Sequence, residues 1–68
     1  MITVNLRRLL EERGMNQTEL ARITGIRPST ICEIYNNNCT FLKLDNIDRI
    51  CKALDCNISD LLCFSHNE

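Results

Sequence analysis

Residues 16–36 read NQTELARITGIRPSTICEIYN and hold the clearest structural signal in the chain. The pattern predicts two short helices joined by a tight turn at Gly25. Ala21 is small enough to let the two helices approach, and Ile31 is a branched apolar residue that can lock the crossing. Such a pair cannot bury its apolar side alone, so we expect flanking helices to complete the core.

Capping residues and apolar spacing predict five helices and one short extended segment. The helices begin at or just after Asn5, Asn16, Arg27, Lys43 and Asn57, and they end at Gly14, Gly25, Asn36–Cys39, Asp55 and Leu62. Asn16 and Glu19 are predicted to form a capping box, and Arg7 and Arg13 are predicted to lie on the solvated side of the first helix. The buried faces are predicted to include Leu6, Leu9, Leu10, Leu20, Ala21, Ile23, Thr24, Ile31, Ile34, Tyr35, Leu44, Ile47, Ile50, Cys51, Leu54, Ile58, Leu61 and Leu62. We expect Ile2–Val4 to pair with the tail, residues 63–68, as a minimal two-stranded ribbon.

Length and composition favour one small all-α domain that spans residues 1–68. The chain has 4% aromatic residues, no Trp and a net charge of −1, which is unusual for a nucleic-acid-binding protein. The charge is unevenly distributed, because five basic and three acidic residues lie up to Thr30, whereas three basic and six acidic residues follow. A dipolar surface of this kind can still attract phosphate on one side.

The five cysteines point to reduced thiols used as small apolar residues in the cytoplasm. Their number is odd, no two form a C-x-x-C pair, and the single histidine, His66, lies in the tail. We therefore expect no metal site and no cofactor. No apolar run approaches the roughly 20 residues of a membrane span. A redox role for Cys32, on the outward face of the third helix, is the alternative interpretation.

The chain resembles the Cro- and phage-repressor-like helix-turn-helix family, also called the XRE family. The resemblance is carried by residues 16–37, NQTELARITGIRPSTICEIYNN, and residues 44–62, LDNIDRICKALDCNISDLL. It implies a five-helix, lambda-repressor-like domain that binds double-stranded DNA and regulates transcription. The third helix would then place its outward residues in the major groove.

The same resemblance implies a set of DNA contacts. Base edges would be contacted by Arg27, Pro28, Ser29 and Glu33, and phosphates by Asn16, Gln17, Asn36 and Lys43. Arg27 can donate to guanine O6 and N7, and Ser29 can donate or accept at either base pair type. The chain departs from the family at Arg27, where a serine-like cap is usual, and at Asn37, where glycine is frequent.

These observations predict a dimeric repressor that binds half-sites about 34–36 Å apart. An alternative is a protein-interaction module, such as an antitoxin-like protein or adaptor, which the acidic second half favours. No arrangement of residues indicates an enzyme. The adjacent apolar residues Phe41 and Leu42 are predicted either to cover the core or to form a dimer contact.

Overall fold

The structure, a computed structural model, describes residues 1–66. Its elements in chain order are β1 (Ile2–Val4), α1 (Leu6–Arg13), α2 (Gln17–Thr24), α3 (Pro28–Tyr35), α4 (Leu44–Leu54), α5 (Ile58–Leu61) and β2 (Leu62–Phe64). The prediction of a five-helix domain with a short terminal pairing is confirmed. Across residues 1–66 no helix is long and apolar enough to cross a membrane.

The ends of α2 follow from local chemistry. The side-chain oxygen of Asn16 accepts from the Glu19 backbone N–H at 2.8 Å, and the Glu19 carboxylate accepts from the Asn16 N–H at 3.2 Å. Gly25 ends the helix with φ +74°, a conformation that costs glycine little. The predicted capping box and turn are confirmed, whereas Asn5 makes no side-chain capping bond at the start of α1.

The core lies where α2 and α3 cross and where the other helices cover them. Its buried apolar residues are Val4, Leu6, Leu9, Leu10, Leu20, Ala21, Ile26, Ile31, Ile34, Ile47, Ile50, Leu54 and Leu61. Ala21 and Ile31 are 7% and 0% exposed, so both residues predicted to set the crossing lie inside it.

Three residues predicted for buried faces are exposed instead: Ile23, Leu44 and Ile58. Ile23 projects to one side of the buried stripe of α2, because successive residues turn by roughly 100° around a helix. Leu44 and Ile58 are the first residues of α4 and α5, and there each side chain points away before its helix reaches the core.

The terminal ribbon is antiparallel, with Ile2 opposite Phe64 and Val4 opposite Leu62. Its second strand begins one residue before the predicted tail segment, whose last two residues, Asn67 and Glu68, lie outside the described residues. The outer edge of β1 is covered by Asn37, which adopts φ +58°. The Asn37 amide oxygen accepts from the Val4 N–H at 2.6 Å, and its nitrogen donates to the Val4 carbonyl at 3.0 Å. We call these two hydrogen bonds the Asn37 bracket, and they connect the segment after α3 to the ribbon.

Arginine side chains connect α4 to the first two helices. Arg13 donates through Nε to the carbonyl of Leu54 at 2.8 Å, and Arg49 donates through Nη1 to the carbonyl of Thr24 at 3.3 Å. Each bond satisfies a carbonyl at a helix C-terminus, where the helix dipole favours positive charge. Arg13, predicted to lie on the solvated side of α1, therefore also has a structural role.

Candidate DNA-binding surface

The outward face of α3 is a polar strip on a firmly anchored helix. Ile31 and Ile34 are 0% and 2% exposed and hold the inner face against the core. On the other side lie Ser29, Glu33 and Asn36, which are all exposed. Their spacing of four and three residues places them in one row along the helix. The polar side chains of this row can donate to and accept from base edges.

Arg27 stands just before α3 and makes no side-chain capping bond there. Pro28 follows at the first helical position, where its missing N–H costs no hydrogen bond. Both residues are exposed. The guanidinium of Arg27 is therefore free to reach beyond the helix, and its planar donors suit a bidentate acceptor such as the guanine edge.

At the other end of α3, the structure brings Asn36 to an arginine that the sequence interpretation assigned to the solvated side of α1. The Asn36 side-chain nitrogen donates to the Cys32 carbonyl at 3.0 Å, and its oxygen accepts from Arg7 Nη2 at 3.4 Å. The Arg7 guanidinium lies 4.9 Å from the centre of the Tyr35 ring. Arg7 thus adds positive charge beside a predicted phosphate contact, and helical periodicity could not have indicated this.

Glu33 and Lys43 line one groove between α3 and the loop that leads to α4, together with Phe41. Lys43 is exposed and precedes α4 without a side-chain capping bond. Its ammonium group can bind phosphate, while the Glu33 carboxylate can accept from a cytosine amine and repels phosphate. The two side chains carry opposite charges, so this groove is not uniformly basic.

Asn16 and Gln17 open α2, which the fold packs against α3. Because the Asn16 side-chain oxygen caps the helix, the amide nitrogen is the end that remains for an outside acceptor. Gln17 is half-buried, so its side chain is more constrained than a typical surface residue. The first-turn N–H groups and the helix dipole at this end favour an anion such as a DNA phosphate.

Ion pairing involves only part of the positive side chains, and those that are left are unevenly distributed over the surface. Within residues 1–66, ion pairs shorter than 4 Å involve the cations Arg8, Arg13, Arg49 and Lys52. The arginine and lysine side chains of residues 1–66 that lie outside these pairs are Arg7, Arg22, Arg27 and Lys43. Three of these four flank α3 or the loop that follows it, so the uncompensated positive charge lies near the predicted DNA contacts.

All five cysteines are free thiols. Cys32 is exposed on α3 beside Glu33. Cys56 is half-buried, and burial followed by the neighbouring Cys51 raises the pKa of the Cys56 thiol above its ordinary value. A thiol with a raised pKa forms little thiolate near neutral pH and reacts slowly.

A glycine turn between two crossed helices and a second helix with a polar outer face define the helix-turn-helix class. A family model for the Cro/C1-type HTH DNA-binding domain matches residues 5–66, and the chain belongs to this family. Double-stranded DNA is accordingly its partner.

Two individual proteins resemble this chain over most of its length. It is 31% identical over 67 residues to the uncharacterized HTH-type transcriptional regulator YozG of Bacillus subtilis (strain 168), covering 98% of this chain and 80% of that protein. The crystal structure of the transcriptional regulator VanUg is similar with a TM-score of 0.76 and 28% identity, covering 91% of this chain and 81% of that chain.

Proposed function

We propose that this protein is a sequence-specific transcriptional repressor that binds DNA as a homodimer, with α3 in the major groove. In this proposal Arg27, Pro28, Ser29 and Glu33 contact base edges. The observation that carries it is the start of α3, where the exposed Arg27 has neither a side-chain capping bond nor an ion pair within residues 1–66. The helix behind that arginine is anchored by the buried Ile31 and Ile34, so it can project the side chain in a fixed direction.

The phosphate contacts in this proposal frame α3 on several sides. Asn16 and Gln17 supply donors from the start of α2, and Lys43 supplies charge from the loop after α3. Asn36 contacts the backbone together with Arg7, whose guanidinium is held by the asparagine oxygen and the Tyr35 ring. Contacts of this kind fix the orientation of the protein on the duplex, and the base-edge contacts then determine the sequence that is bound.

Selection of bound molecules from a random pool of double-stranded DNA tests the proposal directly. We expect a two-fold symmetric sequence with half-sites about 34–36 Å apart, and we expect it to be retained when the salt concentration is raised. Unselective binding that collapses with salt would indicate phosphate attraction alone. No binding at either salt concentration would overturn the proposal and favour a protein-interaction role.

The Arg27→Ala variant then tests the contact that carries the proposal. On the selected site we expect a loss of about 1–3 kcal/mol and a relaxed preference at one base pair. Arg22→Ala is the matched control, because Arg22 is an exposed arginine of α2 that the proposal leaves in solvent. An equal loss on matched and mismatched sites would assign Arg27 to the phosphate backbone instead.

Repression is tested separately, by placing the selected site over a promoter that drives a reporter. We expect transcription to fall when the protein is supplied and to recover with Arg27→Ala. A rise in transcription would identify an activator and would leave the DNA contacts of the proposal in place.

A further inference from the structure

The outer end of the ribbon and the start of α5 carry a cluster of apolar side chains that face solvent. Ile2, Ile58 and Phe64 are 66%, 53% and 60% exposed. Together with the half-buried Leu62 they line one shallow cleft. We call these four residues the ribbon–α5 cluster. Single exposed apolar residues are common on protein surfaces, but a contiguous patch indicates an interaction site.

The cluster continues the apolar face of the ribbon beyond the core. Ile2 lies opposite Phe64, and Val4 lies opposite Leu62. Opposed residues of an antiparallel pair, and residues two positions apart, share one face of the sheet. Val4 is buried in the core, so the same row of side chains begins inside the domain and ends in water at Ile2 and Phe64. Another surface must cover this row if it is to be buried.

The charge of this surface suits a second copy of the same chain. The residues that line the cleft carry no charged side chain: Ile2, Ile58, Ser59, Leu62, Cys63 and Phe64. In a two-fold interface each residue near the axis meets its own copy, so a charged residue there would face a like charge. An uncharged apolar patch avoids that repulsion.

Phe41 and Leu44 are also exposed apolar residues, but they are less suited to this role. These residues are 75% and 80% exposed, but Glu33 and Lys43 line the same groove as Phe41. A two-fold axis through this patch would place like charges close together, and the groove belongs to the surface assigned to DNA.

The area of the ribbon–α5 cluster sets the strength of the expected contact. A large apolar side chain has roughly 150–250 Å² of accessible surface when it is fully exposed. With the exposed fractions of the cluster residues, a symmetrical pair of clusters would bury a total of about 900 Å² over both copies. Stable interfaces bury about 1,000 Å² or more. We therefore expect a monomer–dimer equilibrium in free solution that a DNA with two half-sites shifts to the dimer.

From these observations we infer that the ribbon–α5 cluster is the homodimer interface, with Ile2, Ile58 and Phe64 of two copies packed across a two-fold axis. The inference rests on the proposed function, because a two-fold symmetric DNA site requires a dimer and this interface would form it. The outer edge of β1 is covered at Val4 by Asn37, so the proposed contact is made by side chains of the ribbon and α5 and not by strand pairing at Val4.

Sedimentation equilibrium of the full chain and its variants tests the inference. We expect Phe64→Glu to weaken self-association by roughly tenfold or more, since truncating or charging a central apolar anchor costs this much or more. Phe41→Glu is the matched control, because it places the same charge at an equally apolar and more exposed position, and we expect it to associate like the unaltered chain. Thermal unfolding followed by circular dichroism verifies that both variants remain folded.

Ile58→Asp is a second probe, because it charges the cluster from α5 and leaves the ribbon unaltered. Unchanged association of Phe64→Glu and Ile58→Asp would overturn the inference, as would dissociation caused by Phe41→Glu alone. A chain that stays monomeric at its highest soluble concentration, both alone and on a two-half-site DNA, would also overturn it.

DNA binding separates a failure of this inference from a failure of the proposed function. If the inference is right, Phe64→Glu still binds a DNA with one half-site like the unaltered chain but loses the cooperative gain on two half-sites. Dimers that depend on Phe64 but bind no DNA would support the interface and overturn the proposed function. Cooperative binding that survives Phe64→Glu would support the function and overturn the interface.

Discussion

Two substitutions at Asn37 can separate the effects of backbone strain and of hydrogen bonding on the stability of the domain. It adopts φ +58°, a conformation that glycine adopts freely and that other L-residues adopt at a cost. Its side-chain amide also forms both hydrogen bonds of the bracket on Val4. Asn37→Gly removes the bracket and relieves the backbone, whereas Asn37→Ala removes the bracket and retains the positive φ.

The two bonds set the magnitude of the expected effect. Each hydrogen bond contributes about 0.5–1.5 kcal/mol net to stability, and both are partly buried. We therefore expect Asn37→Gly to lower the free energy of unfolding by about 1–2 kcal/mol after the backbone relief is included. Asn37→Ala adds the cost of a left-handed alanine, about 1–2 kcal/mol, so its total loss is about 2–4 kcal/mol.

Thermal and urea unfolding measured by circular dichroism can resolve these differences. In a domain of this size each kcal/mol shifts Tm by about 4–8 °C, and the order of Tm values should be unaltered chain, Asn37→Gly, then Asn37→Ala. Asn38→Ala is the matched control, because Asn38 is an exposed neighbour, and we expect a change within about 0.5 kcal/mol. If Asn37→Gly were as stable as the unaltered chain, the two hydrogen bonds would contribute no more than the backbone relief that glycine provides, and the expected loss of about 1–2 kcal/mol would be wrong.

Two further predictions concern the turn and the thiols. Gly25→Ala should cost about 1–2 kcal/mol from backbone strain alone, because the new Cβ would meet only the Arg49 side chain, at an ordinary contact of 3.6 Å; an unchanged urea unfolding curve would contradict the turn assignment. Under native conditions a thiol-specific alkylating reagent should modify the exposed Cys32 and Cys63 first, and Cys56 last because burial and Cys51 raise the pKa of its thiol. Peptide mapping by mass spectrometry measures that order. Equally rapid reaction of Cys56 and Cys32 would show that the Cys56 thiol between α4 and α5 is not protected by burial.

The features that the sequence predicted well are those whose causes are local. The capping box of Asn16 and Glu19 and the glycine that ends α2 involve residues within a few positions of each other, so the chain itself specifies them. The prediction of five helices followed from the same kind of evidence. The sequence was less informative at Asn5, whose side chain makes no capping bond to α1. A suitable residue type does not ensure that its side chain turns toward the helix.

Tertiary structure alone decided which side chains meet across the fold. Arg7 reaches Asn36 across 29 positions, Asn37 reaches Val4 across 33, and Arg13 reaches Leu54 across 41. Periodicity assigns a residue to a face of its own helix but does not say what that face will meet.

Tertiary structure also decided that the apolar first residues of α4 and α5, Leu44 and Ile58, are exposed. Ile58 has the composition of a core residue, and only the path of the chain before α5 leaves it beside Phe64 at the surface. The sequence by itself thus determined the helices, the turn and the outward face of α3. The packing of distant segments determined which charges remain unpaired near that face and which apolar side chains remain for a partner, because both depend on neighbours that the local pattern does not contain.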